Sequence, residues 1–307
     1  MLSLSCVPPE GFLEEETRCE HPISKKMKEI WAVEIDLAQQ LLTVCKKHNL
    51  KIYADWGTAL GAVRHKGFIP WDDDMDFCLF RDDYEKLRKI AKSEFKFPYY
   101  FEAGDDAEGF IISGYAKLRN SQTTAIPKED QKRNLKSNQG IFIDIYPLDN
   151  APDNSFIFTI QKRLLRLLIV MACGFAFFST KFYEPSNVLI RYFAKFLHTT
   201  FRKPSKKMMT VCLKLFLKVA KFFNNRETAK VLSLSVDSVF KPRYRKCYDH
   251  IIEMPFEYIS LPVVHAYDEF LKAEYGDYMV FKKYASEHEG MFCDPNHPYT
   301  DYVKDLK

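Results

Sequence analysis

Two aspartates, Asp74 and Asp76, stand two residues apart within the acidic run at positions 72–76. Residues two apart on a β-strand point to the same face, so both carboxylates should project together while Met75 and Phe77 pack on the other face. Two like charges this close repel each other, and a bound divalent cation would compensate them. The spacing therefore predicts a strand that begins at Asp74 and carries a Mg²⁺ site for phosphate chemistry.

A third carboxylate and a small turn extend this prediction. Asp144 lies in the apolar run at positions 141–145, where an unpaired charge would be costly. If its strand lies beside that of Asp76, its oxygen completes the metal site. Gly57 precedes a predicted short helix with Thr58 as its cap, and a helix N-terminus favours anions such as phosphate. These residues together predict phosphate transfer.

Two other interpretations of the acidic run remain. The first is a solvated acidic loop, which is the usual meaning of such a run when it stands alone. The second is a calcium-binding loop of the EF-hand type, which is disfavoured because the required glycine and the glutamate at the twelfth position are missing.

The elements that would position these residues alternate between helices and strands. Apolar residues at three- and four-residue steps predict a helix over 25–49. Further elements are predicted at 51–54 (strand), 58–65 (helix), 74–80 (strand), 82–95 (helix), 99–102 and 113–118 (strands) and 141–146 (strand, closed by Pro147). This order predicts an α/β (α+β) fold, a mixed sheet flanked by helices over residues 25–150. Residues 151–307 are predicted to form a mainly helical, basic lobe and a C-terminal segment, with successive helices over 156–235.

The charge distribution suggests an anionic partner for this lobe. The 307 residues carry a net charge of +4, yet residues 151–250 hold 19 Lys and Arg against 5 Asp and Glu, and 13 of the 26 phenylalanines. Phe beside basic residues on helices favours peripheral contact with a membrane surface, whereas a buried helical lobe with a solvated basic rim fits equally well. The most apolar window, 164–178, is too short to span a bilayer, and no nucleic-acid-binding motif accompanies the basic residues.

The eight cysteines form no CxxC pair, and the N-terminus lacks the pattern of a secretory signal. We therefore expect a cytoplasmic protein with reduced thiols, which could contact the inner face of the cell membrane through residues 151–250.

A longer stretch supports a family resemblance. Residues 55–76, with Asp55-Trp56-Gly57-Thr58 at one end and the acidic run at the other, closely resemble the signature of the LicD family, bacterial cholinephosphotransferases related to the fukutin proteins. The resemblance continues through 117–119, 141–149 and 275–279, and so covers about residues 25–290. The family has the nucleotidyltransferase fold, whose pattern is a Gly-Ser/Thr turn, an Asp-x-Asp strand end and a third Asp on a neighbouring strand. Gly57-Thr58, Asp74-Met75-Asp76 and Asp144 match these elements in order.

The resemblance implies an enzyme that transfers a phospho-alcohol, most often phosphocholine from CDP-choline, to a sugar hydroxyl of a surface glycan or its lipid-linked precursor, as in lipopolysaccharide biosynthesis. CMP would be released, and Mg²⁺ (or Mn²⁺) would be held by Asp74, Asp76 and Asp144. Related enzymes transfer phosphoribitol. Two alternatives stay open: a nucleotidyltransferase that releases pyrophosphate, and a non-catalytic protein that binds membranes or glycans.

Further residues of the resembling blocks are candidates for the donor and for proton transfer. Arg64, Lys117 and Arg119 would bind the donor diphosphate together with Gly57 and Thr58, although each cation alone could equally be a salt-bridge partner. Asp72 and Asp144 are the candidates for general base, and the sequence does not separate base from metal ligand. Asp73 is expected to be solvated or to support its neighbours.

Overall fold

A computed structural model describes residues 4–103, 114–128, 137–176, 192, 196, 206–233, 241–282 and 290–303. The chain divides into two compact units. The first comprises residues 1–103, 115–148 and 243–307, and the second comprises residues 104–114 and 149–242. All the candidate site residues lie in the first unit.

The first unit contains a mixed sheet whose strands lie in the order β3 (Ile52–Ala54), β4 (Asp76–Phe80), β8 (Ile141–Ala151), β6 (Ala116–Asn120) and β5 (Tyr99–Glu102). β4 and β8 are parallel, and the other neighbouring pairs are antiparallel. The α/β (α+β) fold class is confirmed, and so is the prediction that the strands of Asp76 and Asp144 are neighbours.

Register aligns charged residues in one row across the sheet. Asp76 lies opposite Asp144, Asp144 opposite Lys117, and Lys117 opposite Glu102. At the other end of the row, the backbone N–H of Asp55 donates to the carbonyl of Asp76 at 2.9 Å. Side chains in one row of a sheet are neighbours, so this register decides which charges meet.

The boundaries predicted for three strands are wrong, the first being the strand expected at 113–118, which is β6 at Ala116–Asn120. β4 begins at Asp76, so Asp74 lies in the irregular segment before the strand, and the simple alternation argument for the pair does not apply. β8 does not close at Pro147 but continues to Ala151, because Pro147 and Leu148 remain in register with Leu79 and Phe80 of β4. Pairing with a neighbouring strand here outweighs the local breaking tendency of proline.

The long helix α1 (Lys25–Lys47) covers much of the core of this unit. Ser24 caps it by accepting a hydrogen bond from the backbone N–H of Met27 at 3.2 Å. Its buried face includes Trp31, which stacks on Phe68 with ring centroids 4.6 Å apart. Burial of a continuous apolar stripe is what stabilises such a helix.

The remaining elements of the first unit are short. They are the hairpin β1 (Glu16–Arg18) and β2 (His21–Ile23), the pair β7 (Thr124–Ile126) and β13 (Phe292–Asp294), the hairpin β11 (Ile251–Phe256) and β12 (Ile259–Val264), strand β10 (Arg243–Tyr244), and the helices α2 (Trp56–Arg64), α3 (Arg81–Glu94) and α6 (Tyr267–Tyr275). Single-turn 3₁₀ helices at Arg245–Tyr248 and Tyr299–Asp301 accompany them, and the second unit has another at Lys221–Phe223.

The described part of the second unit contains the helices α4 (Ser155–Ala176) and α5 (Lys206–Ala220), followed by strand β9 (Lys230–Ser233). β9 corrects the prediction that residues 156–235 are successive helices, and residues 177–191, 193–195 and 197–205 lie outside the described part. Its main core cluster consists of Ala151, Leu165, Leu168, Ile169, Phe216, Ala220 and Leu232. Among the described helices, none combines the length and hydropathy needed to cross a bilayer.

Candidate active site

Asp76 and Asp144 form the centre of the candidate site at the start of β4 and within β8. Both side chains are buried, at 7% and 6% exposure. The backbone N–H of Asp144 donates to the carbonyl of Met75 at 2.9 Å, which fixes the two strands against each other at this level. Burial and then the neighbouring Asp74 and Asp144 raise the pKa of Asp76 well above its usual range. Burial beside other carboxylates thus disfavours the charged form of Asp76, and a bound cation would favour it.

Lys117 places a positive charge beside Asp144. Its ammonium lies 2.6 Å from Oδ1 of Asp144 and 3.6 Å from the ring centroid of Phe142. Burial lowers the pKa of Lys117, and the attraction of Asp144 opposes that shift. The second oxygen of Asp144 accepts a hydrogen bond from the Tyr146 hydroxyl at 3.4 Å. Of the cations predicted to bind the donor, Lys117 lies directly beside the carboxylates.

The Gly57-Thr58 turn packs against the start of β4. Helix α2 begins at Trp56 with Asp55 as its cap, so the prediction of a start after Gly57 with Thr58 as the cap is wrong. The Thr58 hydroxyl instead accepts a hydrogen bond from the backbone N–H of Asp76 at 2.8 Å. Trp56 has a φ of +42°, a left-handed conformation that is uncommon for a bulky residue. Such strain is frequent where a turn approaches a ligand.

Gly57 explains how this turn approaches the acidic run. A Cβ atom at Gly57 would lie 2.4 Å from Oδ2 of Asp72, so only glycine lets that carboxylate rest on the turn. The carbonyl of Asp72 accepts a hydrogen bond from Nε1 of Trp31 at 3.1 Å, which anchors the run to α1. Asp72 is thereby placed beside the turn, half-buried, as are Asp73 and Asp74.

Arg64 and Arg119 are both engaged by protein groups. Arg64 donates from Nη1 to the carbonyl of Tyr278 at 2.6 Å and from Nε to His65. Arg119 is buried, and it donates from Nε to Glu102 at 2.6 Å and from Nη1 to the carbonyl of Gly140. These bonds hold α2 and β6 in place, and donor binding by either arginine stays a prediction.

Glu34 is a functional candidate that sequence reasoning missed. It lies on α1 with only 2% exposure, and its Oε2 has no hydrogen-bond partner among the described residues. Burial and then Asp74 and Asp73 raise the pKa of Glu34 well above its usual range. The available signal was its spacing: Glu34 stands four residues after Ile30 and three before Leu37, on the buried stripe of the helix.

A second missed residue, Arg243, neutralises Asp55 at the other end of the row. Its Nη1 donates to both carboxylate oxygens of Asp55 at 2.8 Å, and its Nε donates to Glu274 at 3.1 Å. Both members of the Asp55–Arg243 pair are buried. Nothing in the sequence links positions 55 and 243, because strand pairing and the return of the C-terminal segment bring them together.

Asp74, Asp76 and Asp144 provide the chemistry that Mg²⁺ requires, although they are not arranged as a finished site. All their donor atoms are carboxylate oxygens, and both Asp76 and Asp144 are buried. Across the described residues, no three His, Cys, Asp or Glu side chains are already gathered as metal ligands, and Lys117 occupies one oxygen of Asp144. Metal binding by this set stays a prediction that the donor chemistry fits.

Comparison with known proteins identifies the domain. Residues 49–162 match the family described as LicD/FKTN/FKRP, nucleotidyltransferase domain. Over 257 residues the chain is 25% identical to the lipopolysaccharide cholinephosphotransferase LicD of Haemophilus influenzae, which covers 82% of this chain and 91% of that protein. Uncharacterized proteins of Rickettsia prowazekii and Rickettsia typhi are 47% and 50% identical over 51 residues, 17% of this chain and 18% and 16% of theirs. The resemblance seen in the sequence is thus confirmed: residues 49–162 are similar to the LicD/FKTN/FKRP nucleotidyltransferase domain, and most of the chain is similar to a lipopolysaccharide cholinephosphotransferase.

Proposed function

We propose that this protein is a Mg²⁺-dependent transferase that moves a phospho-alcohol, phosphocholine from CDP-choline, to a sugar hydroxyl of a surface glycan or a lipid-linked precursor such as that of lipopolysaccharide. The observation that carries the proposal is the row of Asp76, Asp144 and Lys117 across neighbouring strands, in which both carboxylates are buried. The similarity to a lipopolysaccharide cholinephosphotransferase over 82% of the chain supports the choice of donor and acceptor.

In the proposed reaction, the hydroxyl oxygen of the acceptor forms a bond to the phosphorus that bears the alcohol. The bond from that phosphorus to the bridging oxygen breaks, and CMP leaves with that oxygen. The hydroxyl proton passes to a carboxylate. When bound by Asp74, Asp76 and Asp144, Mg²⁺ would neutralise charge on the donor diphosphate.

The remaining roles follow from the contacts of the chain itself. Lys117 would present its ammonium to a donor phosphate, since it already lies at the buried carboxylates. The two candidates for general base stay Asp144, whose oxygens accept hydrogen bonds from Lys117 and Tyr146, and Asp72, whose carboxylate lies beside the turn at Gly57. Gly57 leaves room for the Asp72 carboxylate.

The test is turnover of purified protein with Mg²⁺, a panel of CDP-alcohols and nucleoside triphosphates, and candidate glycan acceptors. We expect CMP from CDP-choline, and we expect Asp76→Asn and Asp144→Asn to abolish its release while the circular dichroism spectrum is kept. Asp82→Asn, an exposed aspartate on α3, is the matched control and should retain activity. Full activity in Asp76→Asn would refute the metal assignment. Pyrophosphate release from a triphosphate would favour nucleotidyl transfer, and absence of turnover with every donor would favour a binding protein.

We also propose that the helical unit contacts an anionic membrane surface. In the described part of this unit, α4 exposes Phe156, Ile160 and Leu167, and α5 exposes Met208 and Leu215. Exposed lysines at positions 207, 214 and 218 lie on α5 among these apolar residues. Apolar residues inserted between basic ones are typical of interfacial helices.

Flotation with vesicles tests the contact. We expect binding to phosphatidylglycerol vesicles at low salt, release at high salt, and no binding to phosphatidylcholine vesicles. The double variant Lys214→Glu/Lys218→Glu should bind about tenfold more weakly or worse, since each basic residue near such a surface contributes about 1 kcal/mol. Failure of the unaltered protein to float at low salt would refute this proposal.

A further inference from the structure

A cavity of about 270 Å³ lies between α1, the acidic run and residues of strands β7, β8 and β13. Three carboxylates line it: Glu34 from α1, and Asp73 and Asp74 from the run. Asp74 is also a predicted metal ligand. The cavity and the site proposed for the donor phosphates therefore share this residue. The cavity therefore adjoins the reaction site without containing Asp76 or Asp144.

Glu34 makes this more than a cluster of acidic residues. Its side chain is 98% buried, yet Oε2 has no hydrogen-bond partner in the described part of the chain. A buried polar atom without a partner is costly, and native proteins keep few of them. The cost is recovered when a positively charged ligand occupies the cavity beside that oxygen.

The rest of the wall decides what kind of cation fits. Met27, Ile30 and Met291 contribute apolar surface. A hydrated metal ion gains nothing from such a wall, because Mg²⁺ takes oxygen ligands in near-octahedral geometry. The volume also far exceeds the roughly 10–15 Å³ that a single water or ion requires. An organic ammonium matches both parts of the lining, because its charge suits the carboxylates and its carbon atoms suit the apolar wall.

Lys26 is the cation among the described residues that line this cavity. It is exposed, and its Nζ lies 6.0 Å above the ring centroid of Phe292. Lys26 thus has an aromatic face to contact at the rim, while the three carboxylates line the wall beside the acidic run. The balance at the cavity favours a cation over an anion or a neutral polyol.

We propose that this cavity binds the ammonium end of the alcohol carried by the donor, and that Glu34 is the residue that selects a cationic alcohol over a neutral one. That the ammonium group belongs to a CDP-alcohol donor rests on the proposed function. Binding of the ammonium group itself does not, because it can be measured without turnover.

The first experiment needs no variant and no metal. Choline, ethanolamine and the neutral isostere 3,3-dimethylbutan-1-ol are titrated calorimetrically into the full-length protein. We expect choline or ethanolamine to bind and the neutral isostere to bind at least about tenfold more weakly, as the loss of a buried charge interaction implies. Tighter binding of choline would show that the cavity prefers methyl groups, and tighter binding of ethanolamine would show that it prefers N–H donors. Equal binding of the neutral isostere, or no binding of either amine, would overturn the proposal.

The second experiment assigns the effect to Glu34. Glu34→Gln keeps the shape of the side chain and removes the charge, and Glu29→Gln, a half-buried residue on the same helix, is the matched control. We expect Glu34→Gln to weaken amine binding about tenfold or more and to leave binding of the neutral isostere unchanged. Unchanged amine binding in Glu34→Gln, or displacement of the amine by Mg²⁺ alone, would refute the assignment.

The kinetic readout separates this inference from the proposed function. For the unaltered protein and Glu34→Gln, kcat/KM is compared between CDP-choline and CDP-ribitol, and the ratio should fall about tenfold in the variant through KM. CMP release from CDP-choline with no change in this ratio would leave the function standing and refute the role of Glu34. Amine binding without any turnover would support the cavity and refute the function.

Discussion

Replacing Arg243 by Met should destabilise the first unit strongly. The guanidinium donates to both oxygens of Asp55 at 2.8 Å and to Glu274 at 3.1 Å, and it lies 4.4 Å from the ring centroid of Trp56. The Asp55 side chain is fully buried and that of Glu274 is 5% exposed, so neither can be hydrated when the arginine is lost. Methionine keeps much of the apolar packing, which leaves the charge as the main difference.

The expected loss is about 3–5 kcal/mol in the free energy of unfolding, the range for breaking a buried ion pair by removing one partner. The loss arises because the charge of Asp55 stays buried without its partner. Asp55→Asn combined with Arg243→Met should therefore lower the free energy of unfolding by less than Arg243→Met alone. Asparagine can still cap the backbone N–H of Trp56, as Asp55 does at 2.8 Å. A loss of this size would leave a marginally stable domain partly unfolded.

Urea unfolding followed by tryptophan fluorescence measures this unit selectively, because the three tryptophans, Trp31, Trp56 and Trp71, all lie in it. Lys246→Met is the matched control, since Lys246 forms an exposed ion pair with Glu269 and its loss should leave the midpoint unchanged. The reasoning is refuted if Arg243→Met unfolds at the same urea concentration as Lys246→Met, or if the double variant is less stable than Arg243→Met.

Two further predictions concern pH and backbone packing. Burial and then Arg64 lower the pKa of His65 from near 6.5 to about 4, and neutral His65 accepts a hydrogen bond from Arg64 at 2.9 Å. The unfolded chain therefore binds the proton at a higher pH than the folded chain, so stability falls as the pH drops from about 6.5 through 4. In His65→Gln the urea midpoint should fall less over this pH range. An identical fall in both proteins would contradict this. Gly140→Ala should cost about 1–3 kcal/mol because its Cβ would lie 2.0 Å from the backbone oxygen of Asn120, whereas Gly57→Ala should cost less because its Cβ meets only the end of a carboxylate, at 2.4 Å. Equal melting temperatures for the two glycine variants would argue against the close backbone approach.

Much of the candidate site was predictable from local pattern. The acidic run, the apolar surroundings of Asp144 and the Gly57-Thr58 turn are each visible within a few residues of sequence, and together they gave the carboxylate set and the α/β class. Strand ends were less predictable, because they depend on partners. β4 begins only where Asp76 meets β8, and β8 continues past Pro147 because β4 supports it.

The sequence by itself determined which residue types the domain brings to phosphate chemistry, because aspartate spacing and helix periodicity are local properties of the chain. Only the tertiary structure decided how their charges are balanced. Strand register places Lys117 against Asp144, and packing of α1 buries Glu34 beside the acidic run. Arg243 contacts Asp55 although the two are 188 positions apart in the sequence. These contacts join residues far apart in the chain, where burial and register, rather than spacing, fix which charges meet.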